Sequence, residues 1–177
     1  MKRKSFIILL VVSAVIFATA AGLLVSELLL PGASGPKKAL QSYIEATLLY
    51  DVQGMIKYSS EYNKYNLYGN RYLGSDTSLS EYLEKSYGSI DSGYKGKTVE
   101  ILILSEERVT YEVLTMLENL YTTRSDGNER KYPDAQEFLA IRFSVNADET
   151  YQYSASAYVV KTEGRWYYLS QANTPLY

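Results

Sequence analysis

An α+β fold, with helices packed on a curved, cone-like antiparallel sheet, is predicted by three features of the sequence. Apolar residues recur at helical spacing through the middle of the chain. Alternating strands fill its last third, and tight turns join them hairpin to hairpin, which makes the sheet antiparallel. Ahead of both lies a long uncharged stretch that reads as a transmembrane helix.

That stretch comes first in the chain. Lys2-Arg3-Lys4 is followed by Ser5 to Val25 without a charge. As a helix this run of about 21 residues would be ~31 Å long, which matches the hydrocarbon core of a bilayer. The basic cluster is expected to stay in the cytoplasm and the rest of the chain to lie outside. Ala18-Thr19-Ala20 ahead of Ala21 also resembles a signal-peptide cleavage site, and cleavage there would leave a secreted domain. The apolar run is longer than a signal peptide needs and continues to Leu30, interrupted by Ser26 and Glu27, so an uncleaved, single-pass anchor is the expectation. The division that follows is a cytoplasmic tip and anchor over 1–30, a flexible linker over 31–35 and an exported α+β domain over 36–177.

Within the domain, Pro36 suits the first turn of a helix capped by Ser34 or Gly35, with Leu40, Tyr43, Ile44, Thr47 and Leu48 on one buried face. Asp51 can cap a second short helix with Val52, Met55, Ile56 and Ser59 on one side. Residues 61–75 carry few apolar residues and fit no element clearly. A further helix is predicted over 79–87, with Ser78 and Glu81 at capping-box spacing. Residues 97–104 alternate as a strand whose second face is mixed, which predicts cover on both sides. Ser105-Glu106-Glu107 then reads as the start of a helix running to about Tyr121, with Val109, Val113, Met116, Leu117 and Leu120 as its stripe. Two alternating strands follow, 138–145 and 151–159, then Glu163-Gly164 as a hairpin turn and a last strand over 165–169.

The run Pro36-Lys37-Lys38-Ala39-Leu40-Gln41-Ser42-Tyr43-Ile44-Glu45-Ala46, with Asp51 and Tyr58-Ser59 after it, resembles the first helices of the nuclear transport factor 2-like superfamily. The ending Val159-Val160-Lys161-Thr162-Glu163-Gly164-Arg165-Trp166-Tyr167-Tyr168 resembles that superfamily's final hairpin. The resemblance covers residues 36–170 and implies a cystatin-like cone, in which a curved sheet wraps a long helix. The superfamily hosts isomerases, dehydratases, transport scaffolds and membrane-anchored exported domains, so the fold alone implies no activity. Related isomerases use an Asp base and a Tyr donor, and no residue here can be assigned to either role from the sequence.

Composition narrows the chemistry. The chain has no Cys and no His, which removes disulfides, thiolate metal sites and the commonest general base. No catalytic residue, cofactor or metal site is predicted. The whole chain carries −2; setting aside the +3 of Lys2, Arg3 and Lys4 leaves −5, which argues against a nucleic-acid partner. Tyrosine is the excess residue, with 19 copies. High strand propensity accounts for much of it. Tyr62, Tyr65, Tyr68 and Tyr72 stand apart, interleaved with Asn63, Asn66, Asn70, Lys64 and Arg71. A helix here would place the four rings on one side. Two readings stay open: a buried aromatic flap, or a binding surface of Tyr62, Tyr65, Tyr68, Arg71 and Tyr72 for a glycan or an envelope protein. The expected function is a membrane-anchored, non-catalytic binding or scaffold domain. The alternative is a small-molecule pocket protein of the same fold, an isomerase-like enzyme or a ligand carrier.

Overall fold

The computed structural model describes residues 30–68, 76–110, 112–113, 115–117 and 135–172, and of these the side chains of all but 66–68 and 76. The chain divides into two compact units, Met1–Pro31 and Gly32–Tyr177. The expected anchor over 5–25 lies outside the described residues. Among the described residues no helix is long and apolar enough to cross a membrane.

The second unit is an α+β domain. Among the described residues four helices come first: α1 (Pro36–Leu49), α2 (Val52–Tyr58), α3 (Glu61–Tyr68) and α4 (Asp76–Tyr87). Four strands follow: β1 (Val99–Arg108), β2 (Ala135–Ala147), β3 (Thr150–Thr162) and β4 (Arg165–Gln171). They form one open antiparallel sheet in sequence order, the meander expected where each strand turns back on its neighbour.

Local signals set the helices. Pro36 occupies the first turn of α1, with Gly35 as its cap and no capping side chain. Tyr50 ends α1 in the left-handed region, at φ 59°, where its N–H satisfies the last-turn carbonyls of Ala46 and Thr47. Asp51 caps α2 as predicted, its carboxylate accepting from the Gly54 N–H at 3.1 Å. Gly54 is required there, since a Cβ would stand 2.8 Å from that of Ala46 and 2.5 Å from Asp51 Oδ2. α4 begins at Asp76, earlier than predicted, so Ser78 lies inside the helix and not at its cap.

The sheet is covered on both faces. On the inner face Leu139, Ile141, Phe143, Val145, Ala157, Val159, Trp166 and Tyr168 pack against Ala39, Leu40 and Tyr43 of α1. Trp166 is thus a core residue. On the outer face Phe138, Ala140, Tyr158, Val160 and Leu169 form a smaller cluster with Leu117. A third cluster joins α1, α2 and α4 through Ala46, Val52, Met55, Ile56, Leu79 and Leu83.

Three expectations are corrected. The helix predicted from Ser105 does not start there; β1 continues to Arg108 and stays paired with β2. A register shift between Ile103 and Ser105 leaves Leu104 bulged, so the strand bends instead of ending. Helical backbone occurs only at 112–113 and 115–117 among the described residues of that stretch. Second, β1 is not covered on both sides: Leu102 and Leu104 are 41% and 51% exposed. Third, residues 32–33 are no free linker. Ala33 is fully buried and exchanges two 2.9 Å backbone hydrogen bonds with Trp166, adding a bridge to the open edge of β4. A further shift between β2 and β3, at Val145/Asn146, turns Tyr151 off the inner face, where alternation had placed it; it is 62% exposed.

Both hairpin turns hold two residues with positive φ: Asp148 and Glu149 at 49° and 63°, and Glu163 and Gly164 at 50° and 77°. This is the mirror-image turn that matches strand twist and favours Asn-Gly. Glu149 therefore sits where glycine is preferred, and its side chain is exposed. Glu149→Gly is expected to raise stability by about 1 kcal/mol, read as a melting temperature a few degrees higher. An unchanged or lower value would mean that the glutamate makes a compensating contact.

Candidate functional site

The deepest polar groups of the domain meet where α1, the α2–α3 turn and β4 converge. Tyr43 points from α1 onto the sheet because it shares a helix face with Leu40 and Ala39. Its ring stacks on Tyr168 of β4 at 3.9 Å between centroids and 13° between planes. The Tyr43 hydroxyl lies near the side chains of Asn63, Thr47 and Ser59. Asn63 Nδ2 donates to Ser59 Oγ at 2.8 Å, and both residues are almost fully buried. Ser60 caps α3, its hydroxyl accepting from the Asn63 N–H at 3.1 Å, and its own N–H donates to the Tyr168 carbonyl at 2.9 Å.

Burial dominates the electrostatics of this cluster. It pushes the Tyr43 phenol above its ordinary value, against the opposing pull of the hydrogen bonds from Asn63, Thr47 and Ser59. Burial, then the neighbouring Tyr43 and Tyr153, pushes Tyr168 up strongly. Tyr153 is raised by burial and then by Tyr94, and its ring meets Phe143 edge-on at 6.4 Å. These hydroxyls stay protonated at neutral pH and serve as neutral donors and acceptors. The cluster can bind and orient; it holds no ionised acid or base.

Of the residues singled out from the sequence, Tyr62 and Tyr65 have described side chains. Tyr62 is half-buried against the outer-face cluster, whereas Tyr65 is half-buried against the α2–α4 cluster. Tyr68 ends α3 and its side chain, like Arg71 and Tyr72 as a whole, lies outside the described residues. Among the described side chains of α3 the most buried are polar: Asn63 at 3% and Lys64 at 5% exposure, with Lys64 Nζ 3.1 Å from Glu61 Oε1. Burial of Asn63 runs against the surface reading of this segment. Ser59 and Ser60 were missed as site residues; the Ser60-Glu61 start of a helix was the one local signal. Asp51 is a helix cap, and Asp91 is paired with Lys95 on the surface. Among the described residues no group of three His, Cys, Asp or Glu side chains could hold a metal ion.

Comparison with protein-family models, with curated proteins and with solved structures gives no match for this chain.

Two outcomes follow from the cluster. Tyr43→Phe keeps the ring stack and removes the hydroxyl from beside Asn63, Thr47 and Ser59, while Thr47 keeps its bond to the Tyr43 carbonyl and Asn63 its bond to Ser59, and it is expected to cost about 1 kcal/mol in chemical denaturation. A neutral change would mean that water replaces the hydroxyl. The raised phenols also bind their protons more tightly in the folded state than at the ordinary value of 10.0. Their stabilisation is complete below pH 10 and is lost as pH rises from there through the folded values. Melting temperature should fall steeply above about pH 10, and tyrosinate absorbance should show a late-ionising class. Uniform ionisation of all tyrosines in the folded protein would contradict this.

Proposed function

We propose that this chain is a membrane-anchored, non-catalytic binding or scaffold domain that works outside the cytoplasm, with a cone-like fold akin to the nuclear transport factor 2-like superfamily. The observation that carries the reading is the inner face of the sheet: its functional groups are neutral phenols, engaged by Asn63, Ser59 and Thr47 and stacked on one another. Groups held in this way lock helices to a sheet and leave no ionised side chain to move a proton. Binding then falls to the surface. The order of helices before an antiparallel meander supports the family resemblance, and the Lys2-Arg3-Lys4 cluster ahead of Ser5–Val25 supports a single-pass anchor with the domain outside.

The segment proposed for recognition is α3 and the residues after it, with Tyr62, Tyr65, Tyr68, Arg71 and Tyr72 as the candidates to recognise an envelope glycan or protein. A second reading, a small-molecule pocket, draws on a different observation. Ile44, Leu48, Val99, Ile103, Tyr153 and Ala155 all pack on the inner-face core, yet each is only partly buried. Apolar side chains left partly open beside the core suit an apolar ligand.

One experiment separates the two. The full chain and its Tyr62→Phe/Tyr65→Phe variant, which keeps the rings, are tested for co-sedimentation with purified envelope glycan. Alongside, Ala155→Leu narrows the inner face. The surface reading expects retention lost in the tyrosine variant and kept in Ala155→Leu. Binding of an apolar fluorescent probe that is lost in Ala155→Leu and kept in the tyrosine variant favours the pocket, and no retention of glycan by the wild type rules out the glycan.

A further inference from the structure

The outer face of the sheet has two halves. One is apolar and carries Phe138, Ala140, Tyr158, Val160 and Leu169, with Leu117 packed on it. The other is polar and centres on Arg142. With Ile141 and Phe143 on the inner face, the pleat turns Arg142 and Ser144 outward on β2, and the register sets Ser156 and Ser154 opposite them on β3. On β1, a register continued unbroken from the Leu102–Ser144 pair would bring Leu104 opposite Arg142. The bulge brings Ser105 there instead. Sheet geometry then puts the Cβ atoms of Ser105 and Ser156 about 5 Å from that of Arg142, and that of Ser144 about 7 Å away.

Among the described residues the protein itself does not use these donors. Arg142 is exposed, and its guanidinium has no ion pair or hydrogen bond. The hydroxyls of Ser105 and Ser156 have no partner, and Ser154 Oγ accepts from the Tyr151 hydroxyl at 3.3 Å. Ser144 is the telling residue. It is 7% exposed and its hydroxyl has no partner either, although buried hydroxyls are normally bonded. The acidic groups on this face are Glu107, opposite Ala140 and diagonal to Arg142, and Glu100, opposite Asn146; neither pairs with Arg142. Asp148 and Glu149 lie past Asn146 in the β2–β3 turn, and Glu112 is exposed on the segment that carries Leu117.

We propose that Arg142, with Ser105, Ser144 and Ser156 around it, binds a phosphate group. The planar guanidinium offers a fork of N–H donors that matches two phosphate oxygens at once. Serine hydroxyls on the neighbouring strands reach the remaining oxygens from either side, and the bound group gives the buried Ser144 hydroxyl the acceptor it lacks. A carboxylate would occupy the fork and leave the hydroxyls unused. The bulge at Leu104 has a role here, since it exchanges a leucine for a hydroxyl beside the cation. The site lies wholly on the sheet and involves neither α3 nor the N-terminal run.

The full chain, in a neutral phosphate-free detergent at constant ionic strength, is titrated with inorganic phosphate and with the diester glycerophosphoglycerol, and broadening of the phosphorus NMR line is read. Arg142→Gln should weaken binding about tenfold or more and Ser144→Ala about fivefold, whereas Glu107→Gln should strengthen it. Without phosphate, Ser144→Ala should melt no lower than the wild type, because its hydroxyl has no bond to lose. Tighter binding of inorganic phosphate supports a free phosphate as the occupant, and tighter binding of the diester supports a group carried on a polymer. Broadening of neither probe, equal broadening with Arg142→Gln, or displacement by equimolar acetate overturns the site. A lower melting temperature for Ser144→Ala also overturns it, since the hydroxyl would then serve the fold.

Discussion

The stack of Tyr43 on Tyr168 is the contact on which the domain depends. It joins the longest described helix to an edge strand, and the Tyr43 hydroxyl extends the join to Ser59 and Asn63 at the α2–α3 turn. A buried phenol far from polar groups would be costly; one set beside three polar side chains favours a single arrangement of the elements around it. Neighbouring backbone bonds act in the same place. Ser60 bonds to Tyr168 and Ala33 to Trp166, so the open edge of β4 is occupied along much of its length by segments from elsewhere in the chain. Covering an edge in this way also removes it as a site of strand-to-strand aggregation.

The opposite edge is treated differently. β1 has its Ile101 carbonyl taken by Gln41 Nε2 at 2.8 Å, and Lys37 of α1 lies 3.5 Å from Glu106. The bulge at Leu104 bends the strand, and Glu100, Glu106 and Glu107 are exposed along it. Charge and bulge are two of the ordinary means of discouraging pairing at an edge. The domain thus has one edge sealed by its own chain and one guarded by side chains, with the tyrosine cluster at the sealed side.

Much of the fold was legible because the deciding signals are local. Asp51 caps a helix through a residue three positions away, and the alternation in 138–145 and 151–159 follows from sheet pleat alone. What stayed hidden depends on distant partners. Gly32 and Ala33 look like linker composition, and nothing nearby announces that their partners are Trp166 and Arg165. Ser105-Glu106-Glu107 has the chemistry of a helix start, but pairing with Arg142, Ile141 and Ala140 overrides it, and propensity is weak against a ladder of hydrogen bonds. The buried polar cluster was unreadable for the same reason. Tyr43, Ser59, Asn63 and Tyr168 carry no common spacing, so Asn63 looked like surface and Ser59 like the flank of a helix. Helical spacing put Tyr62 and Tyr65 on one side of α3, whereas the packing sends them to separate clusters, because a short helix wedged between two cores meets apolar surface on both flanks.

A double-mutant cycle between Tyr43→Phe and Asn63→Ala, followed by chemical denaturation, tests most directly whether this cluster is a structural lock. The account predicts a coupling energy of about 1 kcal/mol, since the Asn63 side chain acts on the Tyr43 hydroxyl that the other substitution removes. Additive effects of the two substitutions, with no coupling, would contradict it and would return the inner-face tyrosines to the candidates for ligand binding.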